Sequence, residues 1–273
     1  MKIRNIFFLL SIILITHFNV HAGWIITQRT YDSDEGVESA LIETVYLQDN
    51  IMKVVQKEMI TIFNLNTETI TLMSPEKKTY WTGNVANYKT DMKSAIKQVM
   101  DEQLKNAPDD KREMIKKVFE GMIASVDNPN QVSANQPKNY TLEITRTNES
   151  QKVAGYTAVK YKVLVNNELK EEAWLSESNR AQDVLDINKF YNLFSDFTAQ
   201  AGTTDFYQMH EKYLEFARKG FPLKSVNYYG GYETISEVTK LDKEKIDSLV
   251  FVVPADFKKA SLMEIGLNKE QEE

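Results

Sequence analysis

Cysteine and histidine, which carry most nucleophilic and transition-metal chemistry, are almost missing from this sequence. Among 273 residues there is no cysteine, and the three histidines are His17, His21 and His210. A zinc site needs about four ligands drawn mainly from those two types, so no metal is expected. A Ser-His-Asp triad would have to use His210, within "FYQMHEKYLEF", where the expected reading is a surface or half-buried helical residue. The segment "YDSDEG" places Asp32 and Asp34 at alternate positions before Gly36. Its glycine arrives one position early for a calcium loop and the distal bidentate Glu is missing, so it reads as a solvated turn. Acid-rich pieces such as "KEE" and "MDEQ" offer carboxylates but no evidence of a pair held across a cleft. No Gly-rich phosphate loop, G-x-S-x-G or H-E-x-x-H occurs. The chain is therefore expected to be non-enzymatic, with no cofactor. Asn139-Tyr140-Thr141 and Asn148-Glu149-Ser150 match the glycosylation acceptor pattern, which arises often by chance.

The aromatics are what is left. Tyr80, Trp81, Tyr161 and Trp174 fall on predicted strands, while Phe190, Phe194, Phe206 and Tyr213 fall on a predicted helical pair. They either pack a core between sheet and helices or line an apolar cavity beneath a helical lid. On the second reading Tyr80, Trp81, Tyr161, Trp174, Phe190 and Phe194 are the candidate ligand-binding residues. Neighbours on a strand point to opposite faces, so Tyr80 and Trp81 cannot both face the cavity. Trp81 is assigned to the cavity wall. Trp174 shares the more polar face of its strand with Glu172 and Ser176 and is assigned to the mouth. Trp81→Ala is then expected to keep a near-normal melting point and to weaken ligand binding.

The elements that must position these side chains follow from periodicity. Residues 24–81 alternate mostly with period two and read as five or six short strands with turns at Asp34–Gly36, Asp49-Asn50, Asn64–Asn66 and Pro75-Glu76, an antiparallel meander. Helical spacing takes over at Tyr88, Met92, Ile96 and Val99, breaks at Asn106–Asp110, and resumes through Met122 and Ile123. This predicts a helical hairpin over about 84–124, inserted into the sheet as a satellite. The polar loop "SVDNPNQVSANQP" follows. Strands resume with turns expected at Asn148–Ser150 and Asn166-Asn167. A second helical pair spans about 187–200 and 204–218, and a hairpin turns at Gly230-Gly231. "LVFVVPADFKKASL" should supply a last strand and short helix, before a fraying tail at 267–273. With no repeat and no long linker, one domain over 23–266 is expected.

The N-terminus suggests a compartment. Lys2 and Arg4, the apolar run Ile6–Ile15 and Val20-His21-Ala22 read as a signal peptide over 1–22. The run is too short for a spanning helix, which needs about 20 apolar residues, and there is no cysteine for lipid attachment. A periplasmic or secreted protein is expected, without a transmembrane segment after cleavage. The formal charge of −6 lacks basic clusters, which argues against nucleic acid as a partner.

Taken together, "LMSPEKKTYW", "ESQKVAGYTAVKYKVLVNNELKEEAWLSES" and "GFPLKSVNYYGGYETISEVTKLDKEKIDSLVFVVPADFKKAS" resemble a bacterial family of exported proteins of unknown function. That family is allied to the Lol-type lipoprotein carriers and their outer-membrane receptors. The matching positions are Lys78, Tyr80, Trp81, Ala154-Gly155-Tyr156, Tyr161, Trp174, Pro222, Leu223, Phe251 and Pro254. The resemblance implies an α+β fold, a half-open antiparallel β-barrel with helices across its mouth, to which the 84–124 hairpin is an addition. It also implies Gly155 in the turn into its strand, Pro254 at the exit from the last strand, and an arginine that holds the lid shut, a role to which no arginine is assigned and for which Lys53 is only a loose candidate. The partner it implies is a lipid or lipoprotein acyl chain in the concavity. The alternative is a fully packed barrel that binds an envelope protein.

Overall fold

The computed structural model describes residues 22–127, 140–201 and 206–265. The expected signal peptide (except Ala22), residues 128–137 of the polar loop and the C-terminal tail lie outside the described residues. Alternating β-branched and apolar side chains build β1 (Gly23–Asp32), β2 (Leu41–Gln48), β3 (Ile51–Val55), β4 (Ile60–Asn64), β5 (Thr69–Ser74) and β6 (Thr79–Gly83). Each pairs antiparallel with the next. The β2–β3 turn holds Asp49 and Asn50 at φ 49° and 64°, a left-handed conformation that Asp and Asn tolerate better than most residues.

Helix α1 (Val85–Asn106) starts at Asn84. The Asn84 side chain accepts from the Asn87 N–H, and the Asn87 side chain accepts from the Asn84 N–H. This reciprocal cap satisfies two otherwise orphaned donors. Helix α2 (Asp109–Asp127) opens with Asp109 and Asp110 in its first turn, where the helix dipole favours acids. The chain then forms β7 (Leu142–Val153), β8 (Tyr156–Val165), β9 (Glu168–Ser176), α3 (Ile187–Ala201), α4 (Glu211–Ala217), β10 (Phe221–Tyr229) and β11 (Tyr232–Glu244). It ends in the two-residue β12 (Lys258–Lys259) and the short helix α5 (Leu262–Ile265).

Three boundaries differ from the sequence-based expectation. Residues Asn148–Ser150 are no turn: β7 runs through them with a register shift between Arg146 and Ser150. The hairpin turns instead at Ala154-Gly155, with φ 48° and 84°, which agrees with the turn role expected of Gly155. The second helix of the later pair is short, because His210 is extended and caps it after a 3-10 turn at Phe206–Met209. The last strand shrinks to two residues, since Ser248–Phe251 forms a 3-10 turn over the sheet.

The strands make one open, mostly antiparallel sheet in the order β12-β6-β5-β4-β3-β2-β1-β11-β10-β9-β8-β7. Pairing of β1 with β11 joins the two meanders, and only β12 runs parallel to its neighbour. The sheet curls: β7 and β11, four places apart in that order, approach one another directly. The main core lies where Trp24, Ile26, Leu47, Phe63, Ile70, Leu72 and Trp81 meet Leu193 of α3 and Leu262 and Ile265 of α5. Fully burying such a side chain stabilises the fold by about 1.5–3 kcal/mol. Tyr88, in the first turn of α1, is 2% exposed and belongs to the same core. The root of the hairpin is therefore part of the domain body, whereas a wholly satellite hairpin was expected.

Candidate functional site

The six candidate residues do not converge on one cavity. Buried Trp81 belongs to the main core, and Phe190, Phe194 and Trp174 pack against it. Phe63 of β4 meets the rings of Phe190, Phe194 and Phe197 edge-on at 6.2, 6.0 and 5.7 Å, a favoured geometry for aromatic pairs. Tyr88 closes the group, 5.7 Å from Trp81 and 4.9 Å from Phe197. Burial pushes the Tyr88 phenol up to about 12. Tyr80 is half-buried and absent from this cluster, as alternation along β6 requires.

Tyr161 lies elsewhere, buried with Ala173, Leu175 and Phe216. Its hydroxyl donates to Glu177 at 2.6 Å. Trp174 is half-buried and sits in register between Lys160 of β8 and Lys224 of β10. The two ammonium groups lie 5.1 and 5.3 Å from its ring centroid, a cation–π stack. Lys160 also pairs with Glu172 at 2.8 Å. Burial depresses the Lys160 ammonium, but Glu172 and Glu149 outweigh that and raise it overall. Phe206's side chain lies outside the described residues.

Two clefts border the hairpin root. One, of about 340 Å³, lies between β6, α1 and α5 and is lined by Trp81, Asn87, Asp91, Gln98, Lys259 and Ser261 among others. Within it the Trp81 indole N–H donates to Asp91 Oδ2 at 2.6 Å. The other, of about 450 Å³, lies between α1 and α3 over Leu65, Val85 and Leu193, with Glu68, Lys189 and Asn192 also on its walls. Neither is a purely apolar chamber.

Sequence reasoning missed Glu171, Asp91 and Phe63 as organising residues. Glu171 is 4% exposed and accepts from the Tyr213 hydroxyl at 3.0 Å and the Tyr207 hydroxyl at 3.4 Å, tying α4 and its preceding turn to β9. Burial, with the Glu171 charge next, raises the Tyr213 phenol well above its ordinary value. The only sequence signal was a carboxylate on the apolar face of a strand, alongside Ala173 and Leu175. His210 Nδ1 accepts from the Lys212 N–H at 3.2 Å as the cap of α4. Lys53 donates to the Val250 carbonyl at 2.7 Å, so it holds the 3-10 turn of the C-terminal segment rather than a helix. Asp32 accepts from the Thr234 hydroxyl at 2.8 Å beside its turn. Among the described residues no group of three or more His, Cys, Asp or Glu is placed to hold a metal. No described helix is long and apolar enough to cross a membrane.

These features define an α+β protein with a large open antiparallel sheet, a packed aromatic core and a protruding helical hairpin. The chain belongs to the family described as Domain of unknown function (DUF4412), which matches residues 88–257. No curated protein matches it. Among solved structures it is similar to PNGF-II in space group C2, at 10% identity and a TM-score of 0.36, over 89% of this chain and 32% of that one. It is also similar to MucB in complex with MucA(peri), at 11% identity and a TM-score of 0.36, over 86% of this chain and 55% of that one. The chain thus spans about a third of the first protein and about half of the second.

Proposed function

We propose that the protein is an exported, non-enzymatic envelope module that binds another protein, built on a half-barrel whose concavity is filled by its own aromatics. The observation that carries this reading is where uncovered apolar surface lies. Phe63, Phe190, Phe194 and Phe197 contact one another. On α2, Phe119 and Val126 are buried, but Met114, Val118 and Met122 are 61%, 50% and 47% exposed. Spaced i, i+4 and i+8, these three form one stripe on the outer side of the hairpin, a surface suited to a partner. A photo-reactive residue at Val118 in living cells should give a discrete protein adduct. Met114→Lys with Met122→Lys should abolish the adduct without lowering the melting point. Failure to crosslink to protein would overturn the reading.

A second reading, an acyl chain held in the concavity, draws on the cleft of about 450 Å³ over Leu65, Val85 and Leu193. Native mass spectrometry of protein purified without detergent separates the two: a stoichiometric lipid supports this second reading.

A further inference from the structure

Of the sheet's two edge strands among the described residues, β7 is the longer. Among the described residues it pairs with β8 alone. The Asn166 N–H donates to the Thr141 carbonyl at 2.9 Å, so at this end odd-numbered residues turn their backbone groups toward β8. In an antiparallel pair the alternate residues then turn theirs away, here Leu142, Ile144 and Arg146. The side chain of Lys212 donates to the Leu142 carbonyl at 3.4 Å, as that phase requires. Beyond Arg146 the register shift breaks the regular edge, a common way of blocking unwanted pairing. The segment before it keeps a continuous register with β8.

That segment is one wall of a groove of about 410 Å³, lined by Leu142–Thr145 of β7 and by Lys212, Glu215, Phe216 and Lys219. The side chains of Leu142 and Ile144 face α4, packing with Tyr207, Tyr213 and Phe216, while Glu143 and Thr145 point to the other face. The α4 side therefore offers an apolar floor at Ile144 and Phe216 with two lysines against one glutamate.

We propose that the edge of β7 over Leu142–Arg146 takes up an extended segment of a partner protein as an added strand. The backbone groups of Ile144 and Arg146 supply the main-chain bonds. The groove selects an apolar side chain toward Ile144 and Phe216, and a carboxylate two residues away, on the same face, toward Lys212 or Lys219. This rests on the protein-binding reading but uses a surface separate from α2, so either can fail alone.

The test uses the full chain and a blocked, fluorescent synthetic peptide of the repeat Val-Ser-Asp-Ser, which puts valine and aspartate two residues apart on one strand face. Fluorescence anisotropy should show saturable binding, and amide exchange at Ile144 and Arg146 should slow. Methylating the peptide's edge-facing amide nitrogens should abolish binding. Ile144→Pro removes an outward N–H and no bond to β8, and edge strands tolerate such a proline. It should weaken binding by at least about fivefold to tenfold, since it removes one hydrogen bond together with part of the apolar floor. If that variant fails to fold, the methylated peptide and Lys219→Glu, which should weaken binding severalfold and reduce its salt dependence, decide the question. The proposal is overturned by absence of saturable binding or by binding indifferent to backbone methylation. It is also overturned if protein self-association, rather than peptide, protects Ile144 and Arg146. Protein adducts at Val118 would leave the wider reading standing in each case.

Discussion

The Trp81 indole donates to Asp91 Oδ2 at 2.6 Å, joining the edge of the meander to the second turn of α1. Trp81 is 3% exposed and packs on Tyr88, so it both forms core and borders a polar cleft. Trp81→Ala should cost about 3–5 kcal/mol, as for other packed aromatics, in contrast to the near-normal melting expected from sequence. Asp91→Ala should cost about 1–3 kcal/mol by leaving the indole N–H unpaired. Urea denaturation of both and of the double variant should give less than the sum, since the two share one contact.

The hairpin should divide into a structural root and a dispensable tip. Replacing 97–122 with a short Gly/Ser linker keeps Tyr88 and Met92, which pack on the main core. Cooperative melting should survive. Tyr88→Ala in the intact chain should cost about 3–5 kcal/mol. Unfolding of the tip deletion, seen by circular dichroism, would mean that the hairpin completes the core along its length.

Alkaline pH should destabilise the protein through its buried phenols. Burial raises Tyr88 to about 12; Tyr191 also reaches about 12, raised first by burial and then by the Glu171 charge, against the opposing charge of Arg218. The unfolded value is about 10, so between those limits the native state binds more protons than the unfolded chain. Stability present below pH 10 is then lost as pH rises toward 12. Tyr88→Phe should flatten this slope by up to about 2–3 kcal/mol, read from urea midpoints at successive pH values.

The lysine–tryptophan stack should matter little to stability and noticeably to Trp174 emission. Lys224→Met removes one cation 5.3 Å from the ring and should cost about 0.5–1 kcal/mol. Lys160→Met should cost more, because Glu172, with a side chain 12% exposed, loses its 2.8 Å partner. Equal small losses for both would indicate that Glu172 is satisfied by Lys162, 3.9 Å away.

Period-two alternation, helical spacing and turn chemistry alone determined the meander, the Asn166-Asn167 and Gly230-Gly231 turns and the helical hairpin. Those depend on steric and hydrogen-bond preferences that act within a few residues. Alternation also separated Tyr80 from Trp81 and put Trp174 on the polar face of β9, for the same local reason. Which faces meet is a long-range matter. Phe63 and Phe190 are far apart in sequence, and only the pairing of β1 with β11 and the curl of the sheet bring α3 over β4. The same closure pulled Tyr88 into the core, parted Tyr161 from Trp81, and left the edge of β7 beside α4, because burial is decided by the sheet as a whole rather than by any one strand.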